Sequence, residues 1–327
     1  MSETAVHSSS LESLDEPGLV FMLSGQGSQK PGMGADLLDV PEVAATFACA
    51  SDAFGFDVAD LVCSDDAERI NDTRYAQPAL CALSVGIARA LEARGVAPSA
   101  VLGFSLGQIG ALAVSGMLSD TETFALVRCR TDAMARAADR HPGAMSALLK
   151  GTDEEVEQLC EECAQGQVLV PANYNSPGQV VISGELEAVA RAEERWSALG
   201  KRASRLKTSG AFHSPLMAEA AEELYSYMEA VSFSQPRIPL ICNVDAAPLT
   251  AETAREHLAL QMTHPVRFVQ CVRALEAAHA RECIEVGFGG VLTNLVKRIN
   301  KELKRSCVQD RSSFDSCVEL HGEVGKE

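Results

Sequence analysis

The segment LGFSLGQIG, residues 102–110, places one serine between two glycines at the end of an apolar run. Residues 99–104 (SAVLGF) are typical of a buried strand, and residues 106–117 (LGQIGALAVSGM) predict a helix that is apolar on most sides. A Gly-x-Ser-x-Gly motif between strand and helix is the pattern of a nucleophile elbow. We therefore predict that Ser105 is a nucleophile, the alternative being a structural turn. The backbone N–H of Leu106, at the helix start, is predicted to help bind an oxyanion.

Short β-rich runs alternate with helical runs along the rest of the chain. Strands are predicted at residues 19–24, 237–244 and 282–287, and helices at residues 79–94 and 290–304. A glycine-rich loop follows the first of these strands. This alternation predicts the α/β fold class.

The middle of the chain has a different pattern of predicted elements, because residues 143–208 predict the order β-α-β-β-α-β. This order is the ferredoxin-like plan, so we expect a small subdomain inserted into a larger α/β domain made of residues 18–142 and 209–305. The acidic, polar residues 1–17 are predicted to be a disordered tail, and residues 306–327 a C-terminal tail. A cleft between the two units is a natural site.

Composition limits the partners of the chain. A net charge of −17 over 327 residues argues against wide nucleic-acid binding, which needs a basic surface. No apolar run is long enough to cross a membrane, and the start of the chain lacks a signal-peptide pattern. Eleven scattered cysteines favour a reducing cytoplasm over a disulfide framework. Cys160 and Cys163 form one CxxC, which we interpret as ordinary helix residues because no partner motif accompanies it.

A serine hydroxyl needs a general base to become an effective nucleophile. Among the seven histidines, His213 lies in TSGAFHSPLM, where the chain returns from the small subdomain to the large one. This position places His213 at the predicted cleft. A histidine in a loop is also often structural, so the residues alone leave both readings open.

Arg130 lies in a predicted helix, ETFALVRCRTDAMARAA, on the same face as Leu126, Val127 and Met134. A guanidinium on an apolar face needs an anionic partner. The partner is either a structural carboxylate or the carboxylate of a substrate. Given the predicted nucleophile Ser105, a substrate carboxylate explains the buried guanidinium better. Arg128 instead precedes Asp132 by one turn, which predicts a surface pair.

Five motifs occur in order: SGQGSQ, GFSLGQ, NYNSPGQVVISG, SGAFHSPLM and EVGFGGVLTNL. With them, the chain resembles malonyl-CoA:acyl carrier protein transacylases from about residue 19 to residue 300. The resemblance implies an α/β-hydrolase-like domain with a ferredoxin-like insertion. It implies that Ser105 is the nucleophile and His213 its base. It also implies that the Gln26 backbone N–H completes the oxyanion hole and that Arg130 holds the malonyl carboxylate.

The resemblance carries further expectations and some departures. The backbone carbonyl that orients the base is expected to be that of Arg267. Phe104 stands where the family usually has histidine, and Gln108 where it usually has glutamate. The aromatic Phe212 before the base resembles the malonyl-type version of the motif. Phe212 and Phe104 are therefore expected to narrow the acyl pocket against a methylmalonyl branch.

The activity implied by the resemblance is transfer of a malonyl group from malonyl-CoA to the phosphopantetheine thiol of acyl carrier protein, through a malonyl-serine intermediate, in fatty-acid biosynthesis. No metal or other cofactor is expected, because malonyl-CoA and the carrier are substrates. The alternatives are an acyltransferase of a polyketide pathway, a hydrolase that clears acyl groups from carrier proteins, and a non-catalytic carrier-binding subunit. Intact Ser105, His213 and Gln26 argue against the last alternative.

Two basic runs stand out on this acidic chain, residues 297–305 (KRINKELKR) and residues 201–207 (KRASRLK). Each is either solvated surface or a place where an acidic carrier protein docks. The first is expected to continue the helix after the GFGG loop, with Lys297 and Arg298 closest to the cleft. We therefore favour Lys297 and Arg298 as the carrier-docking residues.

Overall fold

The computed structural model describes residue 11, residues 13–15 and residues 18–322. Most of the tail predicted at residues 1–17 lies outside the described residues, as do residues 323–327. Of the described part of that segment, Leu14 donates its backbone N–H to the carbonyl of Ala278 at 2.9 Å.

Strands and helices alternate as the sequence predicts, and the chain is a mixed α/β fold with one parallel and one antiparallel sheet. The elements before the insertion are β1 (Leu19–Leu23), α1 (Pro41–Phe54), α2 (Val58–Cys63), α3 (Ala67–Asn71), α4 (Thr73–Glu92), β2 (Ala100–Gly103), α5 (Leu106–Ser115) and α6 (Asp120–Arg140). The insertion contains β3 (Gly143–Leu149), α7 (Asp153–Ala164), β4 (Leu169–Ser176), β5 (Gln179–Glu185), α8 (Leu186–Ala198) and β6 (Arg202–Arg205). The elements after it are α9 (Ala218–Tyr227), β7 (Leu240–Ile241), α10 (Ala251–Leu260), α11 (Phe268–Ala277), β8 (Glu282–Val286), α12 (Val291–Ile299), β9 (Lys304–Val308) and α13 (Arg311–His321).

The large sheet has the strand order β7-β2-β1-β8-β9, and every neighbouring pair is parallel. Both faces are covered by helices, as parallel sheets require. In β1, Phe21 and Leu23 enter the larger core cluster on one face, whereas Val20 and Met22 enter a second cluster on the other face. Because β1 is central and its residues are buried on both faces, its carboxyl end lies in the middle of one sheet edge.

The small sheet has the order β4-β5-β3-β6 with antiparallel neighbours, and its chain order is β-α-β-β-α-β. Trp196 on α8 anchors its core, and the indole N–H donates to the carbonyl of Leu149 at 3.2 Å. Cys160 and Cys163 on α7 are free and belong to the same core, which agrees with their interpretation as ordinary helix residues.

The C-terminal region differs from its prediction in two places. The helix predicted at residues 290–304 ends at Ile299, because Asn300 adopts an extended conformation. The chain then forms β9, which pairs in parallel with β8, so Lys304 and Arg305 lie on a strand. The prediction of a C-terminal tail from residue 306 is therefore wrong for the described residues, since α13 follows and buries Phe314 and Cys317. The strand predicted at residues 237–244 is also shorter, and covers Leu240–Ile241.

None of the helices in the described ranges is long and apolar enough to cross a membrane.

Candidate active site

The turn between β2 and α5 places Ser105 at the carboxyl edge of the large sheet. Ser105 has φ 52° and ψ −103°, a conformation that L-residues adopt rarely and that marks a strained turn. Asn243 holds this turn from both sides. Its Oδ1 accepts the Ser105 backbone N–H at 2.8 Å, and its Nδ2 donates to the Gly103 carbonyl at 2.7 Å. The fully buried side-chain amide of Asn243 therefore satisfies two backbone groups, the Ser105 N–H and the Gly103 carbonyl, that have no backbone partner in the turn.

His213 lies against the serine, as the sequence predicts. Its Nε2 is 2.8 Å from Ser105 Oγ, and its Nδ1 is 2.8 Å from the backbone carbonyl of Gln261. A carbonyl only accepts hydrogen bonds, so Nδ1 carries the proton and Nε2 presents its lone pair to the hydroxyl. Burial, followed by the charge of Arg130, lowers the pKa of His213 to about 4. The imidazole is therefore neutral at neutral pH and ready to act as a base.

The carbonyl that orients His213 belongs to Gln261, so the prediction of Arg267 is wrong. Arg267 is the N-cap of α11, and its carbonyl accepts the first helical bond, from the Cys271 N–H at 2.9 Å. Its own N–H donates to the Asn243 carbonyl at 2.9 Å. The helix start thus uses the carbonyl that the prediction assigned to the imidazole.

Arg130 is buried on α6 (1% exposed) and reaches the serine. One guanidinium nitrogen donates to Gln77 Oε1 at 2.9 Å, and the other to Ser105 Oγ at 3.1 Å. Nε has no partner, and no carboxylate of the described residues pairs with this guanidinium. Burial lowers the pKa of Arg130 to about 10, so the side chain remains charged at neutral pH. Arg128 forms the predicted surface pair with Asp132, at 3.8 Å.

Two partners were considered for Arg130, a structural carboxylate and a substrate carboxylate. Within the described residues, no structural carboxylate takes this place. The groups that orient the guanidinium are neutral amides, since Gln261 Oε1 lies 3.5 Å from it in addition to Gln77. An uncompensated charge in a buried site is costly, so this arrangement fits an anionic ligand that supplies the missing partner.

A network of buried amides links these groups, and sequence reasoning missed its members Gln77, Asn243 and Gln261. Gln261 Nε2 donates to the Ser105 carbonyl at 3.2 Å and to Gln108 Oε1 at 3.1 Å. Gln108 Oε1 also accepts the Asn243 backbone N–H at 2.8 Å. Glutamine and asparagine in isolated helices and loops carry no pattern that predicts such convergence. The one available signal was Gln108, at a position where the family that the sequence resembles usually has glutamate.

The two predicted oxyanion donors border the same cavity. Gln26 follows the end of β1, and Leu106 is the first residue of α5. Neither backbone N–H has a hydrogen-bond partner within the described part of the chain. A Cβ at Gly25 would lie 2.7 Å from the Phe104 carbonyl, so this loop presses directly on the elbow. The Gln26 side chain fixes the loop by donating to Thr73 Oγ1 at 2.9 Å.

A cavity of about 250 Å³ opens above Ser105 between the two units. Phe104 and Phe212 both line it, and Phe104 packs edge-on against Phe268 at 5.5 Å between ring centroids. Residues of the small antiparallel sheet contribute polar groups to the lining, and the Oδ1 of one of them, Asn175, has no hydrogen-bond partner among the described residues. The lining also includes Met134, Met145, Asn173, Gln179, Lys207, Thr208, Val291, Leu292 and Leu295.

The two basic runs differ in how far their charges are paired. In the second run, Lys201 pairs with Glu155 and Arg205 with Glu193, each at 2.7 Å. In the first run, Arg298 on α12 donates to Gln179 of the small subdomain. No carboxylate within the described ranges pairs with Lys297. It borders a groove whose charged lining comprises Lys301, Lys304 and Arg305 together with Glu282 and Glu302.

Comparisons with known proteins agree with this geometry. A family described as "Acyl transferase domain" matches residues 20–322. The malonyl CoA-acyl carrier protein transacylase of Escherichia coli (strain K12) is 39% identical over 92% of this chain and 98% of its own length. The crystal structure of the malonyl-CoA:acyl carrier protein transacylase from Xanthomonas oryzae superposes with a TM-score of 0.91 at 39% identity, covering 94% of this chain and 99% of that one.

A second solved structure is a malonyl-transacylase in complex with a type II PKS acyl-carrier protein. It has a TM-score of 0.89 and 40% identity, and the alignment covers 92% of this chain and 99% of that chain. The similarity thus spans the parallel sheet and the antiparallel sheet. The chain belongs to the acyl transferase family, among the malonyl-CoA:acyl carrier protein transacylases.

Proposed function

We propose that this chain transfers a malonyl group from malonyl-CoA to the phosphopantetheine thiol of acyl carrier protein, with Ser105 as the acceptor in between. The observation that carries the proposal is the buried, unpaired guanidinium of Arg130 at 3.1 Å from the Ser105 hydroxyl, which itself bonds to His213. A nucleophile beside a fixed positive charge suits an acyl group that carries its own carboxylate.

In the first half-reaction, His213 Nε2 removes the proton from Ser105 Oγ as the hydroxyl attacks the thioester carbonyl. The free N–H groups of Gln26 and Leu106 stabilise the resulting oxyanion. The C–S bond then breaks, and CoA leaves as the thiol after taking the proton from His213. Malonyl-serine remains, with its carboxylate bound by Arg130.

In the second half-reaction, the thiol of the carrier's phosphopantetheine arm enters the same cavity. His213 removes the thiol proton, and the sulfur attacks the serine ester. The ester C–O bond breaks, and His213 returns the proton to Ser105 Oγ. The Gln261 carbonyl stabilises the imidazolium in both halves, so the dyad works without a carboxylate. Every group in this scheme is a side chain or backbone group of the chain, so the proposal includes no metal and no further cofactor.

Two alternatives use the same serine and histidine. A hydrolase that clears acyl groups has no use for a buried guanidinium without a partner, so Arg130 favours the transferase. A polyketide pathway remains compatible, since one similar structure is a malonyl-transacylase bound to a type II PKS carrier protein. Phe104 and Phe212 in the cavity wall support selection of malonyl over branched acyl groups.

We further propose that the large unit is α/β-hydrolase-like and that residues 143–208 are a ferredoxin-like insertion. The order β4-β5-β3-β6 and the chain order of the insertion support this description. The large unit then comprises residues 18–142 and residues 209–322, since β9 and α13 pack on it. Eleven free thiols support work in a reducing compartment such as the cytoplasm.

The function is tested by trapping the intermediate. Incubation with radiolabelled malonyl-CoA should place one malonyl group per chain on Ser105, and carrier protein should then remove it. Ser105→Ala should abolish labelling, because no other described hydroxyl lies beside His213 Nε2. Label released as free malonate, without gain by the carrier, would support the hydrolase instead, and label at another residue would refute the assignment of the nucleophile.

Arg130 should select for the acyl carboxylate. Arg130→Ala should reduce kcat/KM for malonyl-CoA about 10- to 150-fold more than for acetyl-CoA, because a charge-assisted contact contributes roughly 1.5–3 kcal/mol. Arg128→Ala, on the solvent side of the same helix, is the matched control and should change neither value. Equal losses for the two thioesters would mean that Arg130 only supports the fold.

The pH at which acid slows serine acylation, the acid limb of the pH profile, should lie far below the ordinary pKa of a histidine. His213 acts as a base only when unprotonated, so the rate should fall as pH decreases through about 4 rather than 6.5. With acetyl-CoA as the acyl donor, Arg130→Ala should move this limb to higher pH, since the charge of Arg130 lowers the pKa of His213.

The same lowered pKa destabilises the fold in acid, because the unfolded chain binds a proton at His213 below pH 6.5 that the folded chain does not. Rates should therefore be measured immediately after a pH jump, with the folded fraction followed by Trp196 fluorescence. An acid limb near 6.5 in folded protein would contradict the prediction.

Carrier docking should depend on the unpaired basic charges at α12. Reversal of Lys297 and Arg298 to glutamate should raise KM for the carrier at least about tenfold and reduce its salt dependence, since local positive charge steers an acidic partner to an acidic enzyme. Serine acylation by malonyl-CoA should not change. Reversal of Lys201 and Arg202 is the matched control, and an effect confined to that control would place docking on the small subdomain.

A further inference from the structure

A buried carboxylate lies within the large sheet and takes no part in the chemistry described above. Glu285 is on β8, next to the central strand β1, and its side chain is 0% exposed. No Lys or Arg of the described ranges forms an ion pair with it. Burial raises the pKa of this carboxyl, and hydrogen bonds from Thr293, Leu292 and Ser24 oppose the rise. Burial of a carboxyl without a cationic partner costs free energy, which indicates that this side chain holds other groups in position.

One oxygen of Glu285 holds the start of α12. The helix begins at Val291 after Gly290, which has no side chain to cap it. Glu285 Oε2 accepts the backbone N–H of Thr293 at 2.8 Å and so performs the cap from a neighbouring strand. The positive end of the helix dipole also favours a carboxylate there.

The other oxygen holds the loop that follows β1. Ser24 Oγ donates to Glu285 Oε1 at 3.1 Å. The hydroxyl is closely enclosed, because a Cβ at Gly287 would lie 2.3 Å from it. Ser24 is directly followed by Gly25 and Gln26, whose backbone N–H is a proposed oxyanion donor.

Glu285 and its two hydrogen-bond partners, Ser24 and Thr293, form a clamp between two segments. Both of these segments reach the acyl cavity. On one side Ser24, Gly25 and Gln26 line it, and on the other Val291, Leu292 and Leu295 of α12 line it. A displacement of either segment by a few tenths of an ångström would change the distance between the Gln26 N–H and the acyl oxygen. Oxyanion stabilisation depends steeply on this distance.

We propose that Glu285 is a positioning residue for acyl transfer, whose carboxylate ties the oxyanion loop through Ser24 to the first turn of α12 through Thr293. The proposal rests on the proposed nucleophile and oxyanion donors and does not depend on which acyl group they transfer. Loss of one oxyanion donor costs about 10²–10³ in rate, so partial misplacement of Gln26 should cost about tenfold.

The test uses a probe that needs the serine, the base and the oxyanion donors but no malonyl group. In reaction with a fluorophosphonate, Ser105 Oγ forms a bond to phosphorus, the P–F bond breaks, and fluoride leaves while His213 takes the hydroxyl proton. The phosphoryl oxygen occupies the oxyanion position. Labelling rates therefore report positioning even if malonyl transfer proves to be the wrong activity, and malonylation by malonyl-CoA is measured in parallel to judge that activity separately.

Three variants separate positioning from stability. Ser24→Ala cuts only the loop side of the clamp, and Glu285→Ala cuts both sides. Glu285→Gln retains one oxygen for the Thr293 N–H and offers an amide N–H to Ser24 Oγ, so it is the conservative rescue. The matched control is Ser115→Ala, which removes a buried hydroxyl bonded to the Leu112 carbonyl at the far end of α5.

We expect Ser24→Ala to slow labelling of Ser105 about tenfold at saturating probe, with an unchanged half-saturating concentration. Glu285→Gln should stay within about threefold of the wild type, and Ser115→Ala should label at the wild-type rate even where its Tm falls. If Glu285→Ala does not fold, Ser24→Ala still decides the outcome. Wild-type labelling by Ser24→Ala, or an equal loss in Ser115→Ala, would overturn the proposal and leave Glu285 as a structural cap of α12.

Discussion

The site depends on one close contact between backbones at the carboxyl edge of the large sheet. A Cβ at Gly107 would lie 2.1 Å from the Leu23 carbonyl, and one at Gly103 would lie 1.9 Å from the Gly107 carbonyl carbon. Only glycine permits this approach. Because the end of β1, the elbow and the start of α5 touch here, the serine, Leu106 and the loop carrying Gln26 surround one point in space.

The electrostatics of the site follow from the use of neutral amides around a buried cation. Gln77 and Gln261 orient Arg130 without neutralising it, and Gln108 lies one hydrogen bond further along the same network. A carboxylate among these side chains would compete with an anionic ligand for the guanidinium. Burial and, after it, the charge of Arg130 lower the pKa of His213, so the cation that suits an anionic ligand also helps to keep the imidazole unprotonated.

The aromatic residue before Ser105 has a packing role in this chain. Phe104 contacts Gly25 in the loop after β1 and Phe268 on α11, so it joins this loop to the helix. The polar contacts of the elbow come instead from Asn243, a residue that follows β7. The missing histidine at position 104 therefore leaves the hydrogen bonds of Ser105 and His213 intact.

Local patterns were sufficient to predict much of this protein. The alternation of strands and helices, the β-α-β-β-α-β order in the middle of the chain, the elbow at Ser105, the buried face of Arg130 and the loop position of His213 all depend on residues close in sequence. Tertiary structure alone decided the rest: that the Gln261 carbonyl bonds to His213, that Asn243 holds the elbow, and that β9 replaces the end of a predicted helix. These outcomes depend on which distant segments meet, since a buried hydrogen-bonding group takes the partner that packing brings to it, and no local spacing records that choice.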